Sequence, residues 1–403
     1  MDYNVIVVGA GASGVCSAIA AADRKARVLI IDKRQQIMKK LQMTGNGRCN
    51  FTNKDQALRH YHSHRPDIME VMLSKISYDG MMDFFEKLGL RFFDKNGYVY
   101  PMSNQAGAVC RLLKQAAEFR GVSFLADAEV TDISVNDGFT VTAGGKRYSC
   151  DKLIISTGSP AGFKSDDPGI MDVIAGLGIK VLPFEPVLTY IKSGAKLTSY
   201  WDGVRCRGTI YLFKNGKEIC SEAGELMLTD KGVSGIAAFN ISSHIYGEGY
   251  SLKLDLVPDM DAVQVAEFIM ATKGGVNGCA NLYAILPVRL ADTVFTEFLK
   301  KDETYKSRKS HDVNIGELSE MDIRRLAELI KGLRIPVTGK GPVEASQACS
   351  GGVELSELDT STMMSKRYPG LFFTGEAVDV NGDCGGYNLT WAWKSGMMAG
   401  SAI

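Results

Sequence analysis

Val5-Ile-Val-Val-Gly-Ala-Gly-Ala-Ser-Gly14 is the stretch on which the fold turns. Val5 to Val8 read as a buried strand, and Gly9-x-Gly11-x-x-Gly14 follows without a gap. Gly9 permits the tight turn out of the strand, and Gly11 lets a pyrophosphate come close to the backbone. Gly14 removes a side chain where helix and strand pack tightly, and Ala12 and Ser13 share the same phosphate turn. Val15, Ala18, Ile19 and Ala22 recur at helical spacing, so a helix follows. Its unpaired N–H groups and positive dipole end would face the phosphates. A second strand, Arg27-Val-Leu-Ile-Ile31, ends at Asp32, placed to accept hydrogen bonds from a ribose. A lone glycine triplet also occurs in ordinary turns. Strand, glycines, helix, strand and acid in this order point to dinucleotide binding.

The other end of the chain completes this motif. Gly370-Leu-Phe-Phe-Thr-Gly-Glu376 reads as a strand returning to the first sheet, followed by Asp379 and Gly385-Gly-Tyr-Asn-Leu389. A further strand, Lys152-Leu-Ile-Ile-Ser156, ends at Thr157-Gly158 and brings backbone N–H groups near the nucleotide. The two ends read as halves of one nucleotide site, a combination that points to a flavoprotein.

Composition agrees with a soluble enzyme. The 403 residues are 45% hydrophobic and 23% charged, enough for substantial cores in two or three domains. Lys+Arg and Asp+Glu are equal at 46, so no global field recruits nucleic acid or an anionic membrane. The basic stretch Lys306 to Lys309 reads as a solvated loop. Tyr3 to Ala22 is uncharged and about long enough to span a bilayer. It lacks a basic n-region, however, and its glycines fit the phosphate turn, so it is read as strand plus helix. Nine scattered cysteines without a Cys-x-x-Cys pair or a secretory signal fit reduced thiols in a cytoplasm. Their spacing gives no zinc or iron–sulfur signature, and no metal is expected.

Between the two ends the periodicity changes twice. Tyr78 to Leu88 and Ala106 to Glu118 read as helices. Glu129 to Val135, Phe139 to Ala143 and Lys146 to Cys150 read as a meander, turning at Asn136-Asp137-Gly138 and Gly144-Gly145. From about Pro186 to Pro342, alternating segments at Thr209 to Phe213 and Leu252 to Leu256 suggest a second sheet. Asp261 to Met270, Ile285 to Leu299 and Asp322 to Leu329 read as amphipathic helices there. The expected fold is α/β: a Rossmann-like FAD-binding domain over 1–188 and 343–403, with a β-rich, partly helical domain inserted at 189–342. Such insertions commonly wall a substrate cleft.

Three segments resemble a known family. They are Thr44-Gly-Asn-Gly-Arg-Cys-Asn-Phe-Thr-Asn53, Cys349-Ser-Gly-Gly-Val353, and Gly370 through Gly396, the last containing Gly375-Glu-Ala-Val-Asp-Val-Asn-Gly-Asp-Cys-Gly-Gly-Tyr-Asn-Leu-Thr-Trp-Ala-Trp393. Together they are similar to the HI0933-like flavoproteins, also described as the BaiN/RdsA family of NAD(P)/FAD-dependent oxidoreductases. The resemblance spans essentially the whole chain, including a Gly232-Val-Ser-Gly235 turn. Ile236 stands where the family often has proline, and Asp32 where FAD enzymes often have glutamate. The resemblance implies a two-dinucleotide-type FAD fold and tightly bound FAD. One family branch is associated with NAD(P)H-dependent reduction of conjugated double bonds in 3-oxo bile-acid intermediates.

For FAD, Gly9 to Gly14 are expected at the pyrophosphate and Asp32 at the adenosine ribose. Lys33 or Arg48 would add charge at phosphate, and Val130 would offer backbone to adenine. Glu376 is expected near the ribityl chain and pyrophosphate. Gly385, Gly386, Tyr387, Asn388 and Leu389 should open a last helix whose N–H groups face the flavin pyrimidine. Gly45, Gly47, Arg48, Cys49 and Asn50 form a loop suited to wrap a pyrophosphate or line the flavin, Arg48 because its planar fork matches phosphate. Cys49 without a nearby partner cysteine reads as a small packing residue. His60, His62 and His64 alternate, as a metal site on a strand would, yet further ligands are lacking and a solvated loop is expected. Tyr387, Tyr190 and Arg205 are candidate substrate-side donors, with Arg48 and Tyr387 the catalytic candidates; Trp391 and Trp393 are expected to pack the last helix. The expected activity is transfer from NAD(P)H, a transient co-substrate, through FAD to the C=C bond of a small hydrophobic enone. An FAD-dependent amine oxidase using oxygen and a non-catalytic flavin sensor are the alternatives.

Overall fold

In the computed structural model, which describes residues 2–163, 169–275, 277–308 and 310–403, the amino-terminal apolar run is the strand Tyr3–Val8. Lys309 of the basic stretch lies outside the described residues. Tyr3–Val8 runs parallel between Val28–Ile31 and Lys146–Ile155. Ser123–Leu125 extends the sheet beyond Val28–Ile31, and Leu371–Phe373 returns parallel to Lys146–Ile155. Val5 to Val8 and Val28 to Ile31 are all buried, as parallel strands covered on both faces require. The helix Ala12–Ala22 follows the first strand and buries its residues from Ser13 to Ala21.

One expectation changes here. Lys146 to Cys150 and Lys152 to Ser156 are a single strand, Lys146–Ile155, serving two ladders. Its first half pairs antiparallel with Gly138–Ala143, and its second half pairs parallel with Tyr3–Val8. Asp151, between the two halves, accepts a hydrogen bond from Asn4 Nδ2 at 3.1 Å through its exposed carboxylate. An edge-directed charge leaves the backbone ladder intact.

The last helix, Tyr387–Ser401, is buried along nearly its whole length, although its sequence is not uniformly apolar. Several of its polar groups meet backbone groups of other segments. Trp391 Nε1 donates to Gly375 O at 2.9 Å, and Ser395 Oγ accepts from Gly375 N at 2.9 Å. Trp393 Nε1 donates to Phe51 O at 3.1 Å, while its ring stacks on Phe51 and meets the edge of Phe85. Truncating such a tryptophan costs about 3–5 kcal/mol. On the opposite side, a Cβ on Gly396 would lie 2.6 Å from Ser13 O, and one on Gly400 2.3 Å from Ser17 O. These two glycines let the first and last helices touch backbone to backbone.

The chain folds as two units, Met1–Pro186 with Gln347–Ile403, and Val187–Ser346. The second unit is built on an antiparallel sheet in the order Leu333–Pro336, Tyr250–Asp255, Val204–Lys214, Lys217–Thr229, Gly232–Ser234, Ile191–Lys192, Gly339–Lys340. Its core joins Ile210, Leu212, Leu252 and Leu254 of the sheet to Val265, Leu290, Phe295 and Leu326 of three helices. Those helices span Ala262–Thr272, Val288–Lys301 and Glu320–Lys331. The second starts later than Ile285 because Pro287 occupies its N-cap, preceded by a short 3₁₀ turn at Ala280–Ala284. Gly232-Val-Ser-Gly235 is a strand plus a turn, since Gly232–Ser234 pairs with both neighbours and only Gly235, at φ 99°, turns into the next helix. No helix among the described residues is long and apolar enough to cross a membrane.

Lys394 is 5% exposed, with Nζ donating to Leu73 O at 3.3 Å. Burial holds its ammonium down to about 8 from an ordinary 10.5. The unfolded chain therefore binds the extra proton between about pH 8 and 10.5, and stability should rise with pH across that window. The full contribution is on the order of 3 kcal/mol. Urea midpoints measured from pH 7.5 to 10 should climb in the wild type and flatten in Lys394→Met. An equal climb in the variant would assign the effect to other groups.

Candidate dinucleotide site

Three parallel strands end side by side, and their carboxyl ends build the site. Gly9 N donates to Ile31 O at 2.7 Å, Ser156 N to Val8 O at 2.7 Å, and Thr374 N to Ile155 O at 3.0 Å. The side chains of Ser156 and Thr374 share a hydrogen bond of 2.6 Å across the last pair. Ligands of open α/β sheets bind beyond such strand ends.

The glycines take the places expected of them sterically. Gly9 has φ 104°, and a Cβ there would lie 2.4 Å from Ser156 O. A Cβ on Gly14 would lie 1.9 Å from Gly9 O, whereas one on Gly11 would meet nothing within 4 Å. The helix that starts at Gly11 has no side-chain cap and no acid in its first turn. Its leading N–H groups thus border an open cradle. The side-chain oxygens of Asn50, Gln56 and Asn381 are buried without a hydrogen-bond partner. An open backbone cradle, uncapped donors and buried unmatched polar atoms fit a bound dinucleotide such as FAD. Gly9 to Gly14 would hold its diphosphate, and the leading N–H groups of Tyr387–Ser401 would face negative charge on its ring.

The other sequence candidates fall in several settings. Asp32 accepts from Ala10 N at 2.6 Å and Arg34 N at 2.8 Å, tying the first glycine turn to the end of the second strand. Lys33 pairs with Glu129 at 3.4 Å on the surface. Glu376 is engaged by Lys40 Nζ at 2.5 Å and Ser159 Oγ at 2.6 Å. Nothing in the local spacing of Lys40 marks it as the partner of Glu376, 336 residues away. Thr157 is exposed, and Gly158 has φ 72°; Val130 begins its strand and is 8% exposed. Gly45, Gly47 and Arg48 are exposed, and Gly45, Asn46 and Gly47 all have positive φ. Cys49 is wholly buried, and burial pushes its thiol up to about 12. Asn388 spends its amide on Gly382, accepting from N at 2.9 Å and donating to O at 2.7 Å. Tyr387 is 4% exposed, with burial raising its phenol, and Leu389 is half-buried. Arg205 pairs with Glu225 at 3.6 Å, and Tyr190 also belongs to the second unit.

His60, His62 and His64 do not form a solvated loop. Tyr61–His62 pairs antiparallel with Asn381–Gly382, which aligns the histidines with Asp379, Asn381 and Asp383. His60 Nδ1 lies 2.9 Å from Asp383 Oδ2, and His62 Nε2 lies 2.8 Å from Asp383 Oδ1. Asp379, fully buried, accepts from Ser63 Oγ, His64 N and Gly351 N, with His64 Nδ1 at 3.1 Å. The available signal was Asp379-x-Asn381-x-Asp383, a second period-two array of matching length. No metal-binding group of three or more such side chains occurs among the described residues.

Gly11 has φ −80°, which alanine adopts freely, so Gly11→Ala should fold normally while filling the cradle. FAD affinity should fall about tenfold or more, on the order of 1.4 kcal/mol. Fluorescence titration of the apoprotein tests this; an unchanged dissociation constant would remove Gly11 from the diphosphate contact.

Across residues 3–402 the chain matches the model of the HI0933-like protein Rossmann domain. It is 31% identical over 405 residues to a 3-dehydro-bile acid delta(4,6)-reductase of Clostridium scindens, covering 98% of each chain. A ribosomal RNA dihydrouridine synthase of Escherichia coli is 28% identical over 407 residues, covering 98% of this chain and 96% of its own. A solved 3-ketosteroid-delta4-(5alpha)-dehydrogenase from Rhodococcus jostii RHA1 aligns over 99% of this chain and 96% of its own. Its TM-score of 0.48 and identity of 13% are too low to carry an argument. The full-length family match and the site built at the strand ends agree: the chain belongs to the HI0933-like family of flavin oxidoreductases, with a Rossmann domain of the FAD-binding type.

Proposed function

We propose that this chain saturates a C=C bond conjugated to a carbonyl in a small hydrophobic molecule such as a 3-oxo steroid acid, with NAD(P)H as reductant. The observation that carries the reading is the 31% identity to the 3-dehydro-bile acid reductase over 98% of both chains. When bound, FAD supplies a ring able to take a hydride from a nicotinamide and deliver one to an electron-poor carbon. The chain's own part is binding and electrostatics. The Gly9–Gly14 turn orients the diphosphate, and the uncapped start of the last helix presents N–H groups to developing negative charge. Arg48, exposed beside that site's loop, is the more accessible of the two catalytic candidates, because Tyr387 is enclosed.

A second reading has its own support. The relative named for ribosomal RNA also acts on a ring whose C=C bond is conjugated to a carbonyl, so a uracil base in RNA is the competing substrate. Equal numbers of acidic and basic residues favour the small molecule, since RNA binding draws most of its affinity from neutralised phosphates. Anaerobic absorbance of the purified holoenzyme, titrated with NADH and then NADPH, should show bleaching of the flavin. Reoxidation by a 3-oxo-4,6-dienoic bile acid or another enone would support the proposal. Reoxidation only by uridine-containing ribosomal RNA would replace it. Absence of bleaching, with peroxide formed from amines, would turn the assignment to an oxidase.

A further inference from the structure

We propose that His60 is a positioning residue that sets the start of the last helix and, through it, the helix-end stabilisation of the reduced flavin. This rests on reading Gly385–Gly386 as the flavin-facing end of that helix. The start of Tyr387–Ser401 has no side-chain cap, and both glycines before it have positive φ, 134° and 97°. Two glycines in sequence give the chain little intrinsic reason to hold one conformation. The restraint comes from Tyr387, the first helical residue. Its ring stacks on His60 with centroids 4.4 Å apart and planes 15° apart, and the edge of Tyr61 closes it from another side at 5.5 Å. A Cβ on Gly385 would lie 3.1 Å from that same ring, so the glycine turn rests directly on the stack.

His60 is itself held on every side. Nδ1 faces Asp383 Oδ2 at 2.9 Å, Nε2 faces Asp55 Oδ2 at 3.2 Å, and His60 O accepts from Asp383 N at 2.9 Å. Both ring nitrogens face carboxylate oxygens, so the ring plane is fixed from two sides. The other charged group there is Arg59, paired with Asp55. His62 shares Asp383 from the next alternate position. A planar ring thus lies flat on Tyr387, with both of its nitrogens tied to carboxylates. It presses the tyrosine, and through it the glycine turn, into one place. Misplacing that turn would withdraw oriented N–H groups from the negative charge of a reduced ring, an effect confined to the first helical turn.

The test uses the full-length holoprotein and its bound flavin rather than turnover. FAD affinity, flavin midpoint potential by dye equilibration, and apoprotein melting are measured for wild type, His60→Ala, His60→Phe and His60→Arg. In His60→Ala the potential should become more negative, so that the oxidised-to-reduced ratio at a fixed potential rises about three- to tenfold. His60→Phe keeps the aromatic face against Tyr387 but loses both carboxylate contacts, so it should recover FAD affinity and potential only in part. His60→Arg supplies a planar, doubly donating cation and should recover both. A wild-type potential in FAD-loaded His60→Ala overturns the inference, as does a His60→Arg variant no better than alanine. Failure of the wild type to bind FAD would instead overturn the reading beneath it.

Discussion

The constraint on which the first unit depends is the burial of its last helix. Tyr387–Ser401 carries two tryptophans, a lysine, serines and a threonine, none of which belongs in an interior without hydrogen-bond partners. Each is answered by backbone or side chain from elsewhere: Gly375 by Trp391 and Ser395, Phe51 by Trp393, Leu73 by Lys394, and Thr52 by Thr390. The helix thus ties together the loop after residue 44, the helix Pro66–Ser74 and the turn that follows the strand Leu371–Phe373.

Close backbone approach is the second theme, and it explains why the site is both rigid and open. Gly9 and Gly14 exist because neighbouring carbonyls occupy the space of a side chain, and Gly396 and Gly400 do the same between the first and last helices. Gly11 differs from all of these. Nothing within 4 Å would oppose a Cβ there, so packing within the folded chain does not require this glycine, in contrast to the other four. Asp32 belongs to the same construction, because its carboxylate stitches Ala10 to the end of the second strand.

Charge is arranged locally rather than globally. The balanced total hides a concentration of histidines and aspartates where two short strands meet, at Tyr61–His62 and Asn381–Gly382. One segment follows the glycine-rich loop and the other precedes the last helix, so the clasp joins two stretches that both border the proposed flavin site. Glu376 with Lys40 and Ser159 forms a separate polar group in the same unit.

The sequence by itself determined the dinucleotide fold, the second sheet-containing region and the main helices, because those depend on periodicity and on glycine spacing within short windows. Val5 to Gly14 was legible for that reason, whereas Gly375 to Trp393 was read through its resemblance to a known family. Continuity of Lys146–Ile155 was not, since whether Asp151 breaks a strand depends on where its side chain points. Nor was the pairing of Lys40 with Glu376, or of His60 with Asp383 and Tyr387. Those partners lie over three hundred residues apart in sequence, at separations of 336 and 323 for the two polar pairs. Period two was read in the histidines and missed in Asp379-x-Asn381-x-Asp383, and only strand pairing decides which faces meet. Tertiary structure decided the partners because a hydrogen bond is made by position, and the position of both ends was set by the burial of the last helix.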